Sequence, residues 1–174
     1  GNEAQKQTLL PDIAGGTLTL ALALEETQHH NPTNITTTAK RQGEHFILNG
    51  SKFFVLDGHS ADKLIVVART GGTERSSAGL TLLLVDRNAE GMTCQRTVMA
   101  DSRNAANIQF HNVAVLAENV LGTINQGWVI LEPVLDRGRV AMAAEMMGSA
   151  LEAFERTIAY LKEREQFGVL IGSF

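Results

Sequence analysis

The chain has 174 residues, 44% hydrophobic and 20% charged, with a formal net charge of −4, which excludes a disordered chain and allows a folded domain with a sizeable core. The absence of a Lys/Arg cluster argues against nucleic-acid binding, and no apolar run approaches the roughly 20 residues of a bilayer span. Cys94 is the only cysteine, so an internal disulfide is impossible and a reducing compartment fits.

The first periodic segment is TLTLALAL (17–24), where leucines alternate at period two, the pattern of a strand. HFILNGSKFFV (45–55) sets Asn49-Gly50 between two apolar runs. That dipeptide predicts a hairpin, because both central residues of a type I′ turn need positive φ. DKLIVVART (62–70), GLTLLLVDR (79–87), MTCQRTV (92–98) and NIQFHNVAV (107–115) supply further strands. ARTGGTERSSAG (68–79) is a polar loop between two of them; no helix follows it, so it is not read as a phosphate loop. About seven short strands at this spacing predict an antiparallel β-barrel or sandwich.

After Gly122 the texture changes. Val140, Ala144, Met147, Leu151, Phe154, Ile158 and Leu161 alternate spacings of four and three, an apolar stripe on a long helix. Glu152 and Arg156 stand at i,i+4 on another face. Pro133 predicts that the helix starts or kinks near it. A helix with one apolar stripe wants helical neighbours, and the sequence supplies none except the few residues after Phe167. His29-His30 has no cysteine or carboxylate cluster around it, so no metal site is expected. No serine or cysteine lies in a nucleophile motif.

Four motifs in order carry a family resemblance. LNGSKFFV (48–55) resembles a Leu-Asn-Gly-x-Lys-x-Trp-Ile segment. AENVLG (117–122) with QGW (126–128) resembles Pro-x-x-Asn-Leu-Leu-Gly followed by Gly-Trp/Phe. LDRGRVAMAA (135–144) resembles Leu-Asp-x-Gly-Arg-x-x-x-Ala-Ala, and YLKEREQFG (160–168) resembles Tyr-x-x-x-Arg-x-Gln-Phe-Gly. Together they resemble the acyl-CoA dehydrogenases over nearly the whole chain, from about Leu10 to Phe174. The resemblance implies a mainly β middle domain at residues 1–122. Residues 123–174 would begin a C-terminal helical bundle, and the chain would be a piece of an α/β/α three-domain protein. It also implies the chemistry: FAD-dependent oxidation of an acyl-CoA thioester to the 2,3-enoyl-CoA, in which a carboxylate removes the α proton and the flavin takes the β hydride.

The site residues follow from the same resemblance. Arg164, Gln166 and Phe167 match positions that hold the adenosine and pyrophosphate end of FAD across a subunit interface. A guanidinium suits phosphate, although from the residues alone Arg164 reads as a solvated charge and Phe167 as a hydrophobic helix stop. Asp136 and Arg139 match positions that contact the CoA part of the substrate; on the residues alone they are a helix-end charge and a surface arginine. Gly138 stands where some relatives carry the catalytic glutamate, and in most others the base lies beyond Phe174, so no catalytic base is expected in this chain. The flavin loop departs from its pattern. Family members read Thr-Glu-Pro-Gly-x-Gly-Ser-Asp where this chain reads LEETQHHNP (24–32). Leu24 takes the place of a flavin-bonding Thr (Thr27 if the register slips), and His30 that of a Ser. Phe54 stands for a Trp that packs on the flavin, and Leu56 for a Thr or Ser. Two side-chain hydrogen bonds to the flavin would be lost, each worth about 1 kcal/mol.

The expected cofactor is FAD. The expected partners are an acyl-CoA, an electron-transfer flavoprotein or other acceptor, and further copies of the chain as a dimer or tetramer, in the cytoplasm. Two other readings stay open: a flavin-poor structural subunit of the same fold, and an acyl-CoA oxidase or flavin monooxygenase.

Overall fold

The computed structural model describes all residues, 1–174. Gly1–Ile130 form one compact unit and Leu131–Phe174 a second.

The first unit opens with a helix for which the sequence shows no apolar stripe, α1 (Glu3–Gly15). A capping box starts it: Gln5 N–H donates to Asn2 Oδ1 at 2.8 Å, and Asn2 N–H donates back to Gln5 Oε1 at 2.9 Å. Gly16, at φ 74°, ends it in the left-handed conformation.

Eight strands follow: β1 (Leu20–Ala23), β2 (Thr38–Gln42), β3 (His45–Leu56), β4 (Lys63–Arg69), β5 (Leu80–Asp86), β6 (Met92–Val98), β7 (Asn104–Leu116) and β8 (Val120–Leu121). Their order is β6-β7-β3-β2-β4-β5-β8, with β1 joined to β4 off this path. The edge strands do not pair with each other, so the sheet stays open. Most pairings are antiparallel as expected, but β1 and β2 both run parallel to β4. Alternating residues of β3 and β7 (Phe46, Leu48, Ile108, Phe110, Val113 and Val115) meet Leu64, Val66 and Val85 in the core. In β4 and β5 nearly every residue is buried, which is why both read as continuous apolar runs.

The expected hairpin at Asn49-Gly50 is corrected. β3 runs straight through it. The two-residue turn lies instead at Gly43-Glu44, between paired Gln42 and His45, with Gly43 at φ 58°. Asn49-Gly50 forms an irregularity in the β3–β7 register. A Cβ on Gly50 would lie 2.6 Å from Thr37 Cα, so this glycine answers a close backbone approach rather than a turn. Asn49 spans the same irregularity: its Nδ2 donates to Asn112 Oδ1 at 3.1 Å, and its Oδ1 accepts from Asn112 N–H at 2.9 Å.

The long helix, α2 (Gly127–Glu163), begins shortly before Pro133 and runs through it. Proline near a helix start forfeits one backbone bond without ending the helix. Along the second unit Val140, Met147, Leu151 and Phe154 are exposed, so the apolar stripe is present and uncovered. After α2 a short hairpin forms from β9 (Glu165–Gln166) and β10 (Val169–Leu170). Its turn is Phe167-Gly168, with both residues at positive φ (53° and 81°).

Candidate functional site

The departure from regular strand geometry near Phe54 defines the candidate site. Lys52 pairs with Ile108 and Val55 with Ala106, so Phe53 and Phe54 together oppose Asn107. This is a bulge, a device that re-aims a side chain. Phe54 sits at φ 51°, a costly conformation for an aromatic residue, and strain of this kind collects at functional sites. Two bonds hold the bulge. Phe54 N–H donates to Asn107 Oδ1 at 3.0 Å, and Phe53 N–H donates to the Glu25 carbonyl at 2.7 Å. The result is a 41% exposed Phe54 ring, with Leu56 also exposed farther along the strand.

The second bond ties β3 to the loop between β1 and β2. Leu24 opens this loop and is buried. Its carbonyl accepts from Lys52 Nζ at 2.9 Å. His30 Nδ1 lies 2.6 Å from Glu25 Oε1, and Glu25 Oε2 accepts from Asn31 N–H at 3.1 Å, so Glu25 organises the turn around His30.

Beneath the exposed tip lies a buried ion pair that the sequence reading did not single out. Lys52 Nζ is 2.8 Å from Glu26 Oε1, and both side chains are almost fully enclosed. Glu26 also accepts from the N–H groups of Thr36 (2.7 Å) and Thr37 (2.9 Å) and from the Thr36 hydroxyl (2.5 Å). Burial opposes ionisation of Glu26, but the Lys52 charge and these hydrogen bonds together lower its pKa to about 2. Burial pulls the Lys52 ammonium below its usual range, against the opposing influence of Glu26. Lys52 belongs to the motif quoted for LNGSKFFV, but nothing local in the sequence announces a partner in another loop. Asn107 is equally silent, because its role depends on the bulge.

The remaining candidate residues lie in the second unit. Asp136 and Arg139 form an ion pair at 2.6 Å on the exposed surface of α2. Arg164 follows the helix; its N–H donates to the Tyr160 carbonyl and its own carbonyl accepts from Ile171 N–H. Gln166 lies on β9, and Phe167 is 93% exposed at the hairpin turn, edge-on to Phe174. The helix stops at Glu163, so Phe167 is a turn residue and not a helix stop. The structure thus brings Leu24, His30, Phe54 and Leu56 to one region of the first unit, and Arg164, Gln166 and Phe167 to one hairpin of the second.

Comparison with known proteins adds a family. The model of the acyl-CoA dehydrogenase middle domain matches residues 21–113, and that of the acyl-CoA dehydrogenase C-terminal domain matches residues 125–174. The mitochondrial isovaleryl-CoA dehydrogenase of Pongo abelii is 35% identical over the whole chain, which spans 42% of that protein. The crystal structure of an acyl-CoA dehydrogenase from Geobacillus kaustophilus is 32% identical with a TM-score of 0.89, covering all of this chain and 47% of its own. An FAD complex of PigA is 25% identical with a TM-score of 0.90, again covering all of this chain and 46% of its own. The chain therefore spans less than half the length of these relatives. No helix is long and apolar enough to cross a membrane.

Proposed function

The chain belongs to the acyl-CoA dehydrogenase family, and on that premise we propose that the protein carrying it performs FAD-dependent α,β-dehydrogenation of an acyl-CoA thioester. The observation that carries the reading is the bulge that exposes Phe54 where family members place a flavin-packing Trp.

The residues fit a flavin on one count and less well on another. Phe54 offers a flat aromatic face on a bulge fixed by Asn107 and Glu25, which suits one face of a planar ring system. At the ring edge Leu56 offers no side-chain donor, and the Leu24 carbonyl is already engaged by Lys52. Backbone amides of the loop would then be the polar groups that meet the edge. When bound, FAD would supply the hydride acceptor for the substrate β carbon. The chain's own share is to pack one face of the ring with Phe54 and to shield it from water with the loop from Glu25 to His30. Arg164, Gln166 and Phe167 would hold the adenosine and pyrophosphate end of a flavin in a neighbouring subunit. Asp136 and Arg139 would meet the CoA portion of the substrate. No residue here is assigned as the base that takes the α proton; Gly138 stands at one position where relatives carry it.

We read residues 1–122 as the middle β domain and 123–174 as the beginning of the helical domain. An electron-transfer flavoprotein or similar acceptor, a homo-oligomer and a cytoplasmic setting complete this reading. The absent donor at Leu56 favours one second reading, a flavin-poor structural subunit of the same fold. Anaerobic addition of an acyl-CoA panel to the flavin-loaded full-length protein separates the two. Bleaching of the visible flavin band by at least one acyl-CoA is expected. A flavin band unmoved by every chain length and branching pattern would refute dehydrogenation.

A further inference from the structure

The loop from Leu24 to Thr37 is held at both stems by buried cations on two different strands. On the entry side Lys52 of β3, close in sequence to Phe54, bonds the Leu24 carbonyl and the Glu26 carboxylate. Through Glu26 it also fixes the backbone amides of Thr36 and Thr37. On the return side Arg69, at the end of β4, is 8% exposed. Its Nε donates to the Ile35 carbonyl at 2.9 Å, and Nη2 donates to those of Thr33 and Ser76 at 3.1 Å each. Nη1 donates to Ala78 at 3.1 Å and Gly71 at 3.4 Å. Every guanidinium nitrogen is thus spent on backbone carbonyls, and the β4–β5 loop is locked to the same centre.

Buried charges are a poor source of stability, since apolar residues of similar volume usually serve as well or better. What a cation supplies that an apolar side chain cannot is fixed orientation of several carbonyls at once. The segment left outside both clamps, Thr27 to Pro32, carries the exposed run 27–31 that includes His30. We propose that Lys52 and Arg69 are positioning residues that hold the 24–37 loop in its flavin-receiving shape beside Phe54 before the flavin arrives. They touch no ligand. Their contribution to flavin affinity is the loop-ordering cost they remove from binding. This inference rests on the flavin reading of the Phe54 site.

The test uses the full-length protein, with FAD affinity measured by fluorescence titration and apo-protein stability measured by thermal melting. Lys52→Met/Glu26→Gln removes both charges and keeps one amide oxygen, enough for the Thr36 donors on Oε2 but not also for the Thr37 N–H on Oε1. Arg69→Met removes the second clamp. Val115→Ala, a core change on β7 opposite Phe46 and away from the loop, serves as a control that lowers stability without touching either clamp. Each clamp variant is expected to weaken FAD binding by about tenfold or more, while Val115→Ala lowers the melting temperature and leaves FAD affinity within about twofold. If Arg69→Met does not fold, the Lys52→Met/Glu26→Gln protein carries the test alone. Clamp variants that bind FAD like the wild type, or no more weakly than Val115→Ala does, would overturn the positioning role and leave the flavin reading intact. A wild type that takes up no FAD would overturn the flavin reading, and the positioning role with it.

Discussion

Glu26 accepts four hydrogen bonds, one of them from a buried ammonium. Glu26→Ala strands the Lys52 charge and should cost about 3–5 kcal/mol in urea unfolding. The pH dependence has a definite sign. The folded-state pKa of Glu26 lies below its ordinary 4.5, so its stabilising contribution is complete above pH 4.5 and is lost as pH falls toward about 2. The urea midpoint of the wild type should drop across that window, and the drop should be shallower in Glu26→Gln. Phe54 gives a second test at this scale. At φ 51° a glycine relieves backbone strain that an alanine keeps, so Phe54→Gly should be more stable than Phe54→Ala by about 1 kcal/mol. Both should lose flavin affinity alike, because both lose the ring. Phe54 was legible from its motif. Lys52 sat in the same motif, but its partner lies 26 residues away, and no local pattern links the two.

At the scale of elements, the strands that bury several residues were legible, and so was β6 (Met92–Val98), which buries none. β3, β4, β5 and β7 each carry several buried positions, which is what a period-two or continuous apolar pattern records. β2 buries only Ala39 and α1 buries nothing, so neither left a hydrophobic signature. The Asn49-Gly50 pair shows how one dipeptide serves two purposes. Its glycine makes room for Thr37, not for a reversal of the chain. Gly50→Ala should therefore destabilise the protein by about 1–3 kcal/mol through forced displacement of the Thr37 backbone and through its positive φ of 144°, measured by thermal or urea unfolding. Gly43→Ala, at the true turn with open space around it, should cost about 1 kcal/mol from the positive φ alone.

At the scale of the whole molecule, the stripe of Val140, Met147, Leu151 and Phe154 on α2 remains exposed, and contiguous apolar surface of this kind is usually covered in a soluble protein. The 174-residue chain alone should self-associate in sedimentation, and Leu151→Glu/Phe154→Glu should shift it toward monomer. The order of elements and the four spaced motifs made the family legible. The quality of the proposed flavin site was not, because it depends on a bulge, a buried ion pair and an arginine bonded only to carbonyls. The measurement that tests the central claim most directly is the visible spectrum of the full-length protein with acid-released FAD counted per chain. A flavoenzyme built on Phe54 and its clamped loop should show a flavin band and close to one FAD per chain. A colourless protein that also fails to take up added FAD would contradict it.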